Sequence, residues 1–161
     1  MPLYTTLLAV EDAHGVAAGV IVVPALDEVV WAGRGLGCFH DGRPCSVSVV
    51  SSIAEAYLTT SSYSHWPEAG LLAVRRSGMA MRTWGDGYGY LLVATGRMEA
   101  MVDPVVAPYD VAPMPVILAE AGGRFTDLAG DEGFAGGSGL ATNGVLHDAV
   151  LALLSEGDSP P

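Results

Sequence analysis

Turn-forming residues cut the first fifty positions into short β-rich runs, and that punctuation restricts the fold more than any other feature. Tyr4 to Val10 reads as a strand, and Glu11-Asp12-Ala13-His14-Gly15 as a turn in which Gly15 can supply a positive φ. Val16 to Val23 is a second strand, Pro24 to Asp27 a turn and Glu28 to Ala32 a third strand. The chain then bends through Gly33 to Gly37 into Cys38-Phe39-His40, and Asp41-Gly42 signals a hairpin before Arg43 to Val47. The expectation is an antiparallel meander with no helix of its own to cover one face of the sheet, which hints at a preceding segment. With 21 glycines and 10 prolines, elements must be short and connections tight.

Beyond position 52 the pattern changes. Ser52 to Ala56 has a cap-like start, and Tyr57 to Ser61 reads as a strand. Helices are predicted over Trp66 to Gly78, Gly87 to Ala94, Ala112 to Ala121 and His147 to Leu154. Met79 to Arg82 follows the first of these helices, strands are predicted over Met98 to Val102, Arg124 to Asp127 and Leu140 to Asn143, and a Gly-rich loop runs from Gly130 to Gly139. Such alternation predicts an α/β half with a partly parallel sheet. The expected division is therefore 1–52 as the antiparallel strand remainder of an α+β domain, 53–154 as an α/β domain, and 155–161 as a disordered tail.

Composition narrows the function classes. Half of the 161 residues are hydrophobic, enough for an ordinary core. The formal net charge is −11, from 18 acids against seven arginines with no lysine, and Arg75-Arg76 is the only basic pair. Nucleic-acid binding through phosphates is not expected. No apolar run reaches the roughly 18 to 20 residues of a membrane span, and Met1-Pro2-Leu3-Tyr4 lacks a basic leader. A cytoplasmic, non-membrane protein is the expectation. The missing lysines point to a GC-rich genome rather than to a mechanism. Cys38 and Cys45 are too few for a disulfide scaffold and form no C-x-x-C, so both are expected as reduced, half-buried strand residues. His14, His40, His65 and His147 share no metal-like spacing and are expected at the surface or at caps. Ser61, Ser62 and Ser64 lack a nucleophile elbow.

Chemistry is concentrated between Arg82 and Gly123, in Asp86, Asp103 and Asp110. Asp110 stands just ahead of the apolar run Val116 to Ala121. A helix start tolerates a negative charge, and a divalent cation would stabilise it far more. The plainer alternatives are a helix cap for Asp110, a turn residue before Pro104 for Asp103, and a cap on the following helix for Asp86. Trp84 and Tyr88 are expected in the core.

The segments Thr83-Trp84-Gly85-Asp86, Leu92-Val93-Ala94-Thr95-Gly96, Tyr109-Asp110-Val111-Ala112 and Glu120-Ala121-Gly122-Gly123, with Gly33-Arg34-Gly35-Leu36-Gly37-Cys38-Phe39, Asp41-Gly42-Arg43-Pro44, Ser46-Val47-Ser48 and Ala141-Thr142-Asn143-Gly144, carry a resemblance. From about Tyr4 to Leu154 the chain resembles the inositol monophosphatase family, and within it the histidinol-phosphatase branch. The resemblance implies a sugar-phosphatase-like α/β/α/β/α layering without its N-terminal helices and first strands. It also implies Mg²⁺-dependent hydrolysis of a small phosphate monoester, in which a metal-activated water attacks phosphorus. By resemblance Asp110 is a metal ligand, while Asp103 and Asp86 contact the substrate's alcohol or amine; a homodimer follows by family analogy. Two departures stand out. A glutamate and an Asp-Pro-x-Asp-Gly-Thr motif that supply the other ligands are absent, and Pro113 and Pro115 replace helix formers, which implies a late start for the helix after Asp110. The rival expectation is a non-catalytic remnant or partner subunit. Either way, the chain alone is expected to be marginally stable and to have negligible Mg²⁺-dependent phosphatase activity.

Overall fold

The computed structural model describes residues 2–155. Five strands form an antiparallel meander in sequence order: β1 (Thr6–Asp12), β2 (Gly15–Val23), β3 (Glu28–Gly33), β4 (Gly37–His40) and β5 (Arg43–Pro44). Alternation sorts their side chains. Ile21, Val23, Val30, Ala32 and Cys38 point into the core, whereas Leu8, Val20, Trp31, Phe39 and Pro44 pair across the five strands on the opposite face. Leu8 and Trp31 on that face are exposed, and Trp31 stacks on Phe39 at 4.4 Å between ring centroids.

The second sheet runs β7 (Ala80–Arg82), β6 (Tyr57–Thr59), β8 (Ala100–Asp103), β10 (Gly139–Thr142), β9 (Arg124–Thr126). Strands β7, β6 and β8 are parallel, and β10 is antiparallel to both its neighbours, so the partly parallel sheet read from the sequence is present. Helices α2 (Asp86–Ala94) and α4 (Met114–Glu120) lie between the sheets, which is why α2 is apolar all round: Gly87 and every residue from Gly89 to Ala94 are buried. Helices α1 (Glu68–Arg76) and α5 (His147–Ser155) cover the far side of the second sheet through Val74 and Val150, with Leu146 just ahead of α5, on Leu58, Val102 and Leu140. The described residues thus stack as sheet, helices, sheet, helices. The main core joins sheet A, the meander, to the second half through α2 and α4.

Several expected elements are corrected. The helix expected over Ala112 to Ala121 is α4, which starts at Met114, and a further short helix, α3 (Pro108–Val111), precedes it across Ala112-Pro113. Neither Pro113 nor Pro115 can donate the backbone bond that would fuse them. Asp110 therefore lies inside a short helix of its own, and the helix that follows it starts late, at Met114, as the two prolines implied. The strand expected over Arg43 to Val47 stops at Pro44; Cys45 N–H still reaches Cys38 O at 3.0 Å, but Val47 N–H turns to Ala121 O at the end of α4. The strand from Tyr57 ends at Thr59, and the helix expected from Trp66 starts only after Pro67. Of the predicted tail, Ser155 closes α5, and the remainder lies outside the described residues.

Candidate active site: an acid-lined pocket

Glycines let the chain assemble the site. A Cβ on Gly85 would fall 2.1 Å from Ser61 Cα, so only glycine allows the start of α2 to sit against the loop after β6. That approach lets Asp86 N–H donate to Ser61 Oγ at 2.9 Å. A Cβ on Gly87 would lie 2.5 Å from Thr5 Oγ1, and one on Gly89 would lie 2.5 Å from Met101 Sδ. Helix α2 is thus pressed at once onto the approach to β1 and onto β8.

Asp86 is the first residue of α2 and has φ 53, a left-handed conformation that Asp tolerates better than most residues. It is not a cap: Gly85 holds the cap position, and no side chain caps the helix. Asp103 ends β8 and is buried, with Oδ1 accepting Ser61 N–H at 3.1 Å and Oδ2 accepting the Tyr90 hydroxyl at 3.1 Å. Burial raises the Asp103 carboxyl pKa above its ordinary value, the hydrogen bonds from Ser61 and Tyr90 oppose that shift, and the Asp86 charge adds to it. Burial beside Asp103 pushes the Tyr90 hydroxyl well above its ordinary range. Asp110 sits on α3, with Oδ2 accepting Ala107 N–H at 3.3 Å, so the capping role weighed for it is real within that helix.

The three acids read from the sequence meet in one cavity of about 390 Å³, lined also by Thr5, Ser61 and Tyr90. Sequence reasoning missed Tyr90 and discarded Ser61. Tyr90 could have been found, since it stands four residues after Asp86 on one helical face; nothing in its neighbours marks Ser61. Other expectations fail. Trp84 is exposed, not core, and its backbone N–H and C=O both bond Thr59 Oγ1 at 2.9 Å. His147 is fully buried, not at the surface, between Thr142 Oγ1 on Nδ1 at 2.9 Å and Thr126 Oγ1 on Nε2 at 3.0 Å. Cys38 and Cys45 are free thiols 3.5 Å apart; Cys38 is fully, not partly, buried.

Carboxylate oxygens suit a hard cation such as Mg²⁺. Their number does not: among the described residues no group of three or more His, Cys, Asp or Glu stands close enough to hold a metal ion. These residues alone do not close a metal cage.

Two sheets with paired helices between them, and acids converging where α2, β8 and α3 meet, define a layered α/β protein of the IMPase type. A Thermotoga maritima IMPase superposes on 98% of this chain with a TM-score of 0.86 at 29% identity. An inositol monophosphatase from Anabaena gives a TM-score of 0.85 at 28% identity over 99% of the chain. The Inositol monophosphatase family profile matches residues 1–159, and the chain belongs to that family. A histidinol-phosphatase from Mycobacterium tuberculosis is 39% identical over 98% of the chain, and one from Chlorobaculum parvum is 34% identical over 98%. The chain spans only 64% and 63% of those two relatives. Among the described residues no helix is long and apolar enough to cross a membrane.

Proposed function

We propose that this chain carries the substrate-facing part of a phosphomonoesterase site that acts on a small phosphate ester of an amino alcohol, histidinol phosphate being the first candidate. The observation that carries the reading is the meeting of Asp86, Asp103 and Asp110 in one cavity. The relatives named histidinol-phosphatases support the substrate, and the Trp84-Gly85-Asp86 segment supports the branch.

On this reading Asp103 and Asp86 accept hydrogen bonds from the alcohol or amine of the substrate. Both are negative acceptors, so they favour a donor-rich, cationic group over an anionic one. Asp110 contributes one ligand to a Mg²⁺ site whose other ligands are not among the described residues. When bound, Mg²⁺ would neutralise phosphate charge and activate water. No step is assigned to a metal on Asp110 alone. A homodimer, by family analogy, remains part of the proposal.

The second reading, a subunit without catalysis of its own, is favoured by the unclosed metal cage. Phosphate release separates the two. The chain is assayed alone and fused behind the Asp-Pro-x-Asp-Gly-Thr segment of a relative, with histidinol phosphate, inositol phosphate and a nucleotide. The fusion is expected to release phosphate from histidinol phosphate fastest, only with Mg²⁺, and to lose the activity in Asp110→Asn; the chain alone should stay at the enzyme-free rate. A folded fusion that releases none overturns the enzyme reading.

A further inference from the structure

We infer that Tyr90 is a positioning residue for Asp103: its hydroxyl, admitted by the missing side chain of Gly139, holds the carboxylate as an acceptor facing the cavity. The inference rests on the reading above, in which Asp103 meets the substrate's donor group. Tyr90 is 1% exposed and packs at a tilt against Phe125, with ring centroids 6.0 Å apart. A buried phenol must place its proton on an acceptor, and here the acceptor is Asp103 Oδ2. Ser61 N–H occupies Oδ1 from the other side. An ionised carboxylate has about four acceptor positions, so beyond the Ser61 and Tyr90 donors it keeps capacity for a donor in the cavity that Asp103 lines. Hydroxyl and ammonium groups satisfy that capacity, whereas a carboxylate or phosphate oxygen does not.

Gly139 is the register partner of Asp103 on β10. A Cβ there would lie 2.7 Å from Tyr90 Oη and 3.4 Å from the Phe125 ring, while the backbone is not in the left-handed region that itself favours glycine. Glycine is needed at 139 for the space the hydroxyl takes on its way to Asp103. Asp86 on α2 and Asp110 on α3 are the other titratable groups that act on the Tyr90–Asp103 pair, and both stay in place in each variant below.

The test follows the Asp103 carboxyl by carbon NMR through a pH titration of the full chain, in wild type, Tyr90→Phe, Gly139→Ala and Phe125→Leu. Tyr90→Phe removes the donor, and Gly139→Ala displaces it with the phenol intact. Both should raise the Asp103 midpoint by about half a unit or more. Phe125→Leu loosens the same packing but keeps the donor, so it should lower the melting temperature and leave the midpoint where it was. Equilibrium binding of phosphoethanolamine against ethylene glycol monophosphate reads specificity: wild type should favour the ammonium ester several-fold, and Tyr90→Phe should bring the ratio towards one. A midpoint unchanged in both Tyr90→Phe and Gly139→Ala overturns the role of Tyr90, even if wild type prefers the ammonium ester. Wild type without that preference overturns the substrate reading, and the titration still decides on Tyr90.

Discussion

His147 shows how one side chain can set the acid limit of the fold. Burial, helped by the charge of Arg124, lowers its pKa from 6.5 to about 4. In the unfolded chain it titrates near 6.5, so the folded state binds the proton less well. Stability from this residue is full above pH 6.5 and is lost as the pH falls towards 4, by an amount on the order of 3 kcal/mol. Asp12 and Glu28, held below their ordinary values chiefly by hydrogen bonds from Arg34 and Arg97, act in the same direction at lower pH. Denaturant melts at pH 7 and pH 4.5 should differ markedly, and His147→Gln should flatten the difference; an equal slope in the variant would contradict the assignment. The sequence hid this histidine because its position at a helix start looks like a cap, and only the two threonines from β9 and β10 make it a satisfied core residue.

At the scale of elements, the meander was legible because its turns are chemically marked: Gly15, Gly37 and Gly42 have φ of 95°, 86° and 75°. The late start of the helix after Asp110 was legible from Pro113 and Pro115, whereas the short helix Pro108–Val111 that holds Asp110 was not, because one helical turn leaves no apolar period. The three acids were legible as a motif, but their meeting depends on helix α2 pressing on its neighbours at three glycines, which no periodicity reports. Gly85→Ala should therefore damage the site more than the fold. The clash with Ser61 Cα must move backbone, so the amide signals of Ser61 and Asp86 should shift while the far helices α1 and α5 keep theirs. By contrast Ile117→Ala, in the buried centre of α4, should cost about 2–5 kcal/mol in a chemical denaturation curve without moving the pocket. A loss under 1 kcal/mol there would mean that α4 is not the central layer.

For the whole molecule, the outer face of sheet A decides how stable the chain can be alone. Leu8 and Val10 on edge strand β1, with Trp31 beside them, leave apolar surface in water. Substitution there should be nearly neutral in a dilute monomer: Leu8→Ser is expected to change unfolding free energy by no more than about 0.5 kcal/mol. A large loss that depends on protein concentration would show that another copy covers the face. The pocket's wall at Tyr4 and Thr5 runs from the same edge.

Magnesium binding followed by calorimetry tests most directly the claim that Asp110 belongs to a cation site completed by groups beyond those described. The chain alone should give no saturable Mg²⁺ heat, and the fusion carrying the Asp-Pro-x-Asp-Gly-Thr segment should give one that Asp110→Asn abolishes. Saturable binding by the chain alone, or binding by the fusion that survives Asp110→Asn, would contradict the account.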